Sequence, residues 1–153
     1  MSSLSSALSV GLACAALAAS ISARADEYVG ALNCKSCHPS QYAHWRRTPH
    51  ARAFASLKGE ARRDPTCTGC HATAAREGHV GVQCESCHGP GAHYWPEHVM
   101  RDRELAEAAG LRQGRSPEIC RRCHTVDAPS LRPFDHASAL ERVIHPPSEE
   151  KSR

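Results

Sequence analysis

Aromatic side chains are scarce in this chain of 153 residues: two Trp, three Tyr and two Phe make up 5%, and methionine appears twice. With a mean hydropathy of −0.49, such a chain cannot fill a large side-chain core by itself. Neither sign of charge dominates. Nineteen Lys and Arg face sixteen Asp and Glu, a formal +3, which excludes the strongly basic profile of a nucleic-acid binder. No alternation of apolar and polar residues is long enough for a sheet. Long apolar runs are missing as well: Ala7 to Ile21 is shorter than the roughly 20 residues of a membrane span and is interrupted by Ser9 and Ser20.

That short run has the character of an export signal. Residues 1–25 hold no acid and one basic residue, Arg24, and Ala23-Arg24-Ala25 fits the small-x-small cleavage rule. Residues 1–25 read as a signal peptide and residues 26–153 as one exported domain, periplasmic or extracellular, with no stable membrane insertion. A signal normally has Lys or Arg near its start; its lack here leaves an uncleaved anchor as the alternative. Gly11 stands three positions before Cys14 where lipidation would need a Leu-like residue.

What the chain does have is nine cysteines and eleven histidines. Apart from Cys14, all the cysteines fall into four copies of CxxCH: Cys34, Cys37 and His38; Cys67, Cys70 and His71; Cys84, Cys87 and His88; Cys120, Cys123 and His124. Chance would supply on the order of 0.04 such motifs in this composition. Two thiols three positions apart reach the two vinyl groups of one haem, and the next residue offers its imidazole to the iron as proximal ligand. Four covalent c-type haems then replace the missing core. A zinc ribbon over Cys67 to Cys87 is the main competitor, since the spacing between Cys70 and Cys84 suits it, but zinc does not require a His after each second cysteine. Disulfides do not require it either.

Motif starts at 34, 67, 84 and 120 are unequally spaced and speak for one haem-packed domain rather than a solenoid. The fold class expected is mainly α: short helices, long loops, and little or no sheet. Thr48-Pro49, with Gly59 at the far end, predicts a helix over 50–58. Asp102 to Ala109 before Gly110 predicts another, Ser116-Pro117-Glu118 starts one running into the fourth motif, and Asp135 caps a last helix with Leu140, Val143 and Ile144 on one face. Gly89-Pro90-Gly91 reads as a turn.

Seven histidines outside the motifs compete for the sixth coordination positions: His44, His50, His79, His93, His98, His136 and His145. His136 and His145 lie nine residues apart on the expected last helix, hence on opposite faces, so one of them faces a haem. His79, eight residues past His71, is the nearest candidate for the second haem. His44 and His93 read as solvent-facing or bonded to propionates, and Met100 as an unfavoured axial alternative. Arg121 and Arg122, inside the fourth motif, either pair with propionates and raise that haem's potential or stand as solvated charges.

Tyr28-Val29-Gly30, the first motif, Tyr42, Trp45, Thr48 and His50-Ala51-Arg52-Ala53 resemble the opening of the tetrahaem cytochrome c-554 family. Gly81-Val82-Gln83-Cys84-Glu85-Ser86-Cys87-His88-Gly89-Pro90-Gly91 resembles that family's third haem site. The resemblance implies a helical tetrahaem electron-transfer protein, no catalytic residues, haems stacked in pairs, and a second haem open on one side. It further implies His98 as distal ligand of the first haem, His145 of the third and His50 of the fourth. The chain is shorter than such proteins between the first two motifs and after the fourth. The function implied is electron transfer between a redox enzyme, of the hydroxylamine oxidoreductase type, and a downstream acceptor. Two other readings stand beside it: a small reductase binding nitric oxide at an open second haem, with Thr68, Thr73 and His79 as donors, and a subunit of an extracellular cytochrome filament.

Overall fold

The computed structural model describes residues 27–125 and 134–147; the expected signal peptide and its cleavage site lie outside them. Among the described residues eight short α-helices occur in chain order: α1 (Ala31–Lys35), α2 (Pro39–Trp45), α3 (Pro65–His71), α4 (Cys84–His88), α5 (Glu97–Met100), α6 (Arg103–Ala108), α7 (Pro117–Arg121) and α8 (His136–Glu141). Between α3 and α4, strand β1 (Ala72–Ala74) pairs antiparallel with β2 (His79–Val80). This ribbon is too short to leave an alternating pattern in the sequence. The mainly α expectation is met. Among the described residues no helix is long and apolar enough to cross a membrane.

Capping explains several helix starts. Asp64, Asp102 and Asp135 accept the backbone N–H of Thr66, Leu105 and Ser138 at the starts of α3, α6 and α8. Proline opens α2, α3 and α7, where its missing N–H costs nothing.

Two expectations are corrected. The segment after Thr48 is a 3-10 helix, Pro49–Ser56, rather than an α-helix. Thr48 does not cap it, because its hydroxyl donates 2.8 Å back to the Trp45 carbonyl. The last helix stops at Glu141, so His136 and His145 do not share it. Pro146 follows His145 directly, and the residue before a proline is pushed out of helical conformation.

The side-chain core is small, as the scarcity of aromatics requires. Tyr94, Val99 and Ala106 form it, with Met100, Ala109 and Leu111 packed against them; Met100 is thus occupied in packing. Elsewhere the chain is held by polar ties. Trp45 Nε1 donates 2.8 Å to the Val82 carbonyl, and Val82 N donates 3.0 Å to the His50 carbonyl. This draws the 3-10 helix onto the β2–α4 link, where Gly81, at φ +80, leaves no room for a Cβ against the Ala51 carbonyl.

Candidate functional site

Each motif is wound as a single helical turn. α3 and α4 contain the second and third motifs whole. In the first and fourth, the helix carries the leading cysteine and a turn completes the rest, with His38 N and His124 N each donating 2.9 Å to the carbonyl of Cys34 and Cys120. Positions i, i+3 and i+4 share one face of such a turn, so both thiols and the following imidazole face the same way. This is the donor set that a c-type haem requires.

The motifs meet in a definite order. The Cys34 and Cys84 thiols hydrogen-bond each other, which pushes Cys34 up and draws Cys84 down, while burial raises both. Burial, then the neighbouring Cys120, raises Cys87. Burial, then a hydrogen bond with Cys70, pushes Cys123 up to about 12. The first motif therefore adjoins the third, the third adjoins the fourth, and the fourth adjoins the second. Polar contacts repeat the pattern: Arg122 Nη2 donates 2.6 Å to the Ser86 carbonyl, and Cys70 Sγ lies 3.8 Å from the Arg122 carbonyl. The Arg122 guanidinium is thus bound to the third motif.

Two pairs of imidazoles face each other across the structure. The rings of His88 and His145 are 5.8 Å apart between centres, and those of His50 and His124 are 6.1 Å apart. Two imidazoles bound to opposite sides of one metal ion, each at about 2.0–2.1 Å, hold their centres about 6 Å apart. Both spacings fit an iron between the rings. Burial pulls His50, His88 and His124 below the ordinary histidine range, with the facing ring a further cause at His50 and His88. That favours the neutral imidazole, the form that ligates. His38 is likewise lowered by burial and then by His145.

Backbone carbonyls orient two of the proximal rings. His71 Nδ1 lies 2.8 Å from the Ala53 carbonyl and His88 Nδ1 lies 2.9 Å from that of Arg112. An Nδ1–H donated there leaves Nε2 free for a metal, the usual second-sphere arrangement of a ligating histidine.

The remaining candidates separate. His98 is exposed on α5. The His79 ring lies over Gly30, with two ring atoms 2.8 Å from where a Cβ would stand, and so covers the start of α1 and the first motif. His136 stands beside the fourth motif, its ring 6.4 Å from Phe134, which stacks at 4.5 Å on His124. His93 is exposed, whereas His44 is half-buried. The Nε2 atoms of His44 and His136 are buried without a hydrogen-bond partner, and a polar group such as a haem propionate would satisfy them.

One charged residue has a position that nothing in the pattern announces. Glu85, between the two cysteines of the third motif, is 3% exposed. Its carboxylate accepts the backbone N–H groups of Val29 at 2.9 Å, Gly30 at 2.8 Å and Gly91 at 2.7 Å. Sequence reading gave it no role, since the inner positions of CxxC are free to vary.

The sequence profile of the family described as cytochrome c554 and c-prime matches residues 33–89, the span of the first three motifs. Cytochrome c-554 of Nitrosomonas europaea is 28% identical over 135 residues; the match takes in 63% of this chain and 57% of that protein, so the chain spans a little over half the length of this relative. The solved reduced state of cytochrome c554 from the same organism superposes with a TM-score of 0.51 over 76% of this chain and 78% of the other, at 24% identity, and shares the fold. Profile, relative and fold point the same way: the chain is similar to the c-554 family of multihaem c-type cytochromes, the profile matching it over the first three motifs.

Proposed function

We propose that this chain is a periplasmic electron carrier that relays electrons between a multihaem redox enzyme of the hydroxylamine oxidoreductase type and a downstream acceptor. The observation that carries the reading is the succession of neighbouring motifs: the helices bearing Cys34 and Cys84 pack together, the Arg122 guanidinium of the fourth motif reaches the Ser86 carbonyl of the third, and Cys70 Sγ of the second lies 3.8 Å from the Arg122 carbonyl. It supports a continuous route in the order first, third, fourth and second motif. Each haem, when bound, exchanges one electron at its iron; the chain supplies the ligands, the spacing and the surrounding charge.

In this reading His38, His71, His88 and His124 are proximal ligands. The 5.8 Å and 6.1 Å ring spacings support His145 as distal ligand of the third haem and His50 of the fourth. His98 is taken for the first from the family resemblance. The second haem has no distal ligand: the position of His79 over Gly30 argues against that residue. An open second haem also supports a second reading, reversible binding of nitric oxide at that iron.

Quantitative EPR of the oxidised, matured protein tests both. One iron in four should be high spin in the native protein, and two in four in His145→Ala. An unchanged spectrum in His145→Ala overturns that ligand assignment. A native spectrum that is wholly low spin removes the nitric oxide reading and leaves the relay.

A further inference from the structure

The Glu85 carboxylate accepts three backbone N–H groups. Val29 and Gly30 donate from the residues just before α1, and Gly91 donates from the link that follows α4, just before the turn at 92–94. An ionised carboxylate is an acceptor only, and three N–H groups satisfy that form. The charge has no cationic partner: the ion pairs among the described residues are Arg63–Glu60, Arg101–Glu97 and Arg103–Glu107, all on exposed side chains. Its place in the fold is the junction of the first and third motifs, where the helices bearing Cys34 and Cys84 come together. Gly91 is held to glycine here, because a Cβ would stand 2.9 Å from Glu85 Oε1 and 2.8 Å from Val29 Cγ2.

We propose that Glu85 is a buried anion that lowers the reduction potentials of the haems on the first and third motifs more than those on the second and fourth. Reduction adds an electron to a haem, and a fixed negative charge beside it opposes that addition, strongly where water is excluded and less with distance. The backbone dipoles that solvate Glu85 do not cancel its charge. At the other side of the third motif the Arg122 guanidinium reaches the Ser86 carbonyl, a charge of opposite sign on the side of the second and fourth motifs. The inference rests on the electron-relay reading above and adds to it a residue that tunes the route.

A purely structural latch would make the same hydrogen bonds, so the test reads potentials. Spectroelectrochemical titration of the four-haem protein should show two of the four one-electron steps of Glu85→Gln moved upward by at least a tenfold change in equilibrium constant, about 59 mV, with the other two displaced less. Glu85→Asp, which keeps the charge, should stay near the native potentials even if its unfolding temperature falls. A folded Glu85→Gln with all four steps unmoved, or a Glu85→Asp shifted as far as Glu85→Gln, overturns the proposal. If Glu85→Gln does not mature, redox-difference infrared spectra of the native protein with carbon-13-labelled glutamate decide. Labelled carboxylate bands that shift as the lowest-potential haems are reduced support a charged Glu85; a protonated carboxyl band, or no labelled band that moves, overturns it. A native protein that cannot take up four electrons reversibly refutes the relay reading itself.

Discussion

Gly30 holds a backbone conformation, φ +82 and ψ 152, that is almost confined to glycine, and the His79 ring fills the space a side chain would need. Gly30→Ala should therefore cost about 1–3 kcal/mol and lower the unfolding midpoint, with the loss concentrated at the first motif; calorimetry of the haem-loaded protein checks it. At this scale, residues with unmistakable chemistry were readable from the sequence. The eight motif cysteines and four motif histidines follow from spacing alone, whereas His50 and His145 are proposed as ligands from family resemblance and from their facing rings. The partners that orient them were not readable, because they are main-chain carbonyls of Ala53 and Arg112 that carry no side-chain signature. Glu85 escaped for a related reason: its neighbours in space are backbone N–H groups on segments 55 and 56 residues earlier and 6 later.

Helix starts were more legible than helix ends or helix types. Asp102 and Asp135 cap where expected, since a side chain bonding its own following turn is a local event. The 3-10 helix Pro49–Ser56 was read as α, because the Thr48 hydroxyl had the alternative of the Trp45 carbonyl, which a linear pattern does not reveal. α8 shows how such a cap responds to acid. The Ser138 backbone N–H, and after it the Ser138 side chain, hold the Asp135 carboxyl below the usual carboxylate range. A carboxyl whose folded value is depressed contributes its stability fully above the unfolded value, near 3.9, and loses it as pH falls through the folded value. Acidification below about pH 4 should thus loosen the start of α8, seen as a loss of helical far-ultraviolet dichroism. Asp135→Asn, which still caps but does not titrate, should remove that step; its persistence would assign the acid transition to another group.

On the scale of the whole molecule, charge is unevenly placed. Residues 46–63 carry Arg46, Arg47, Arg52, Lys58, Arg62 and Arg63 against Glu60 alone, so the rest of a chain with net +3 is slightly acidic. The basic segment packs by the second motif, where Ala53 meets His71, and a cavity of about 280 Å³ lies between Arg62, Arg63, Pro65, Thr68, Ala75 and Arg76. Oxidation of the reduced protein by hexacyanoferrate(III) should accordingly slow by about tenfold or more between low and high ionic strength, and Arg52→Glu with Lys58→Glu should flatten that dependence. Stopped-flow rates across a salt series check it, and a rate indifferent to salt would mean that anions do not approach through this face. The number of haems and the smallness of the core were plain from composition. The neighbour order of the motifs was not, because chain order runs first, second, third, fourth while the fold interleaves them.

That interleaving bears on how the protein is put together. In the proposed ligand set His50 precedes its haem's motif by 70 residues and His145 follows its own by 57. A chain threaded N-terminus first through a membrane would have its third haem attached while the second axial position waits for residues not yet delivered. The fourth haem would meet a ligand delivered long before it. Maturation would then leave a transient species with an exposed, reactive third iron, and the arrival of the C-terminal segment would be the step that quenches it.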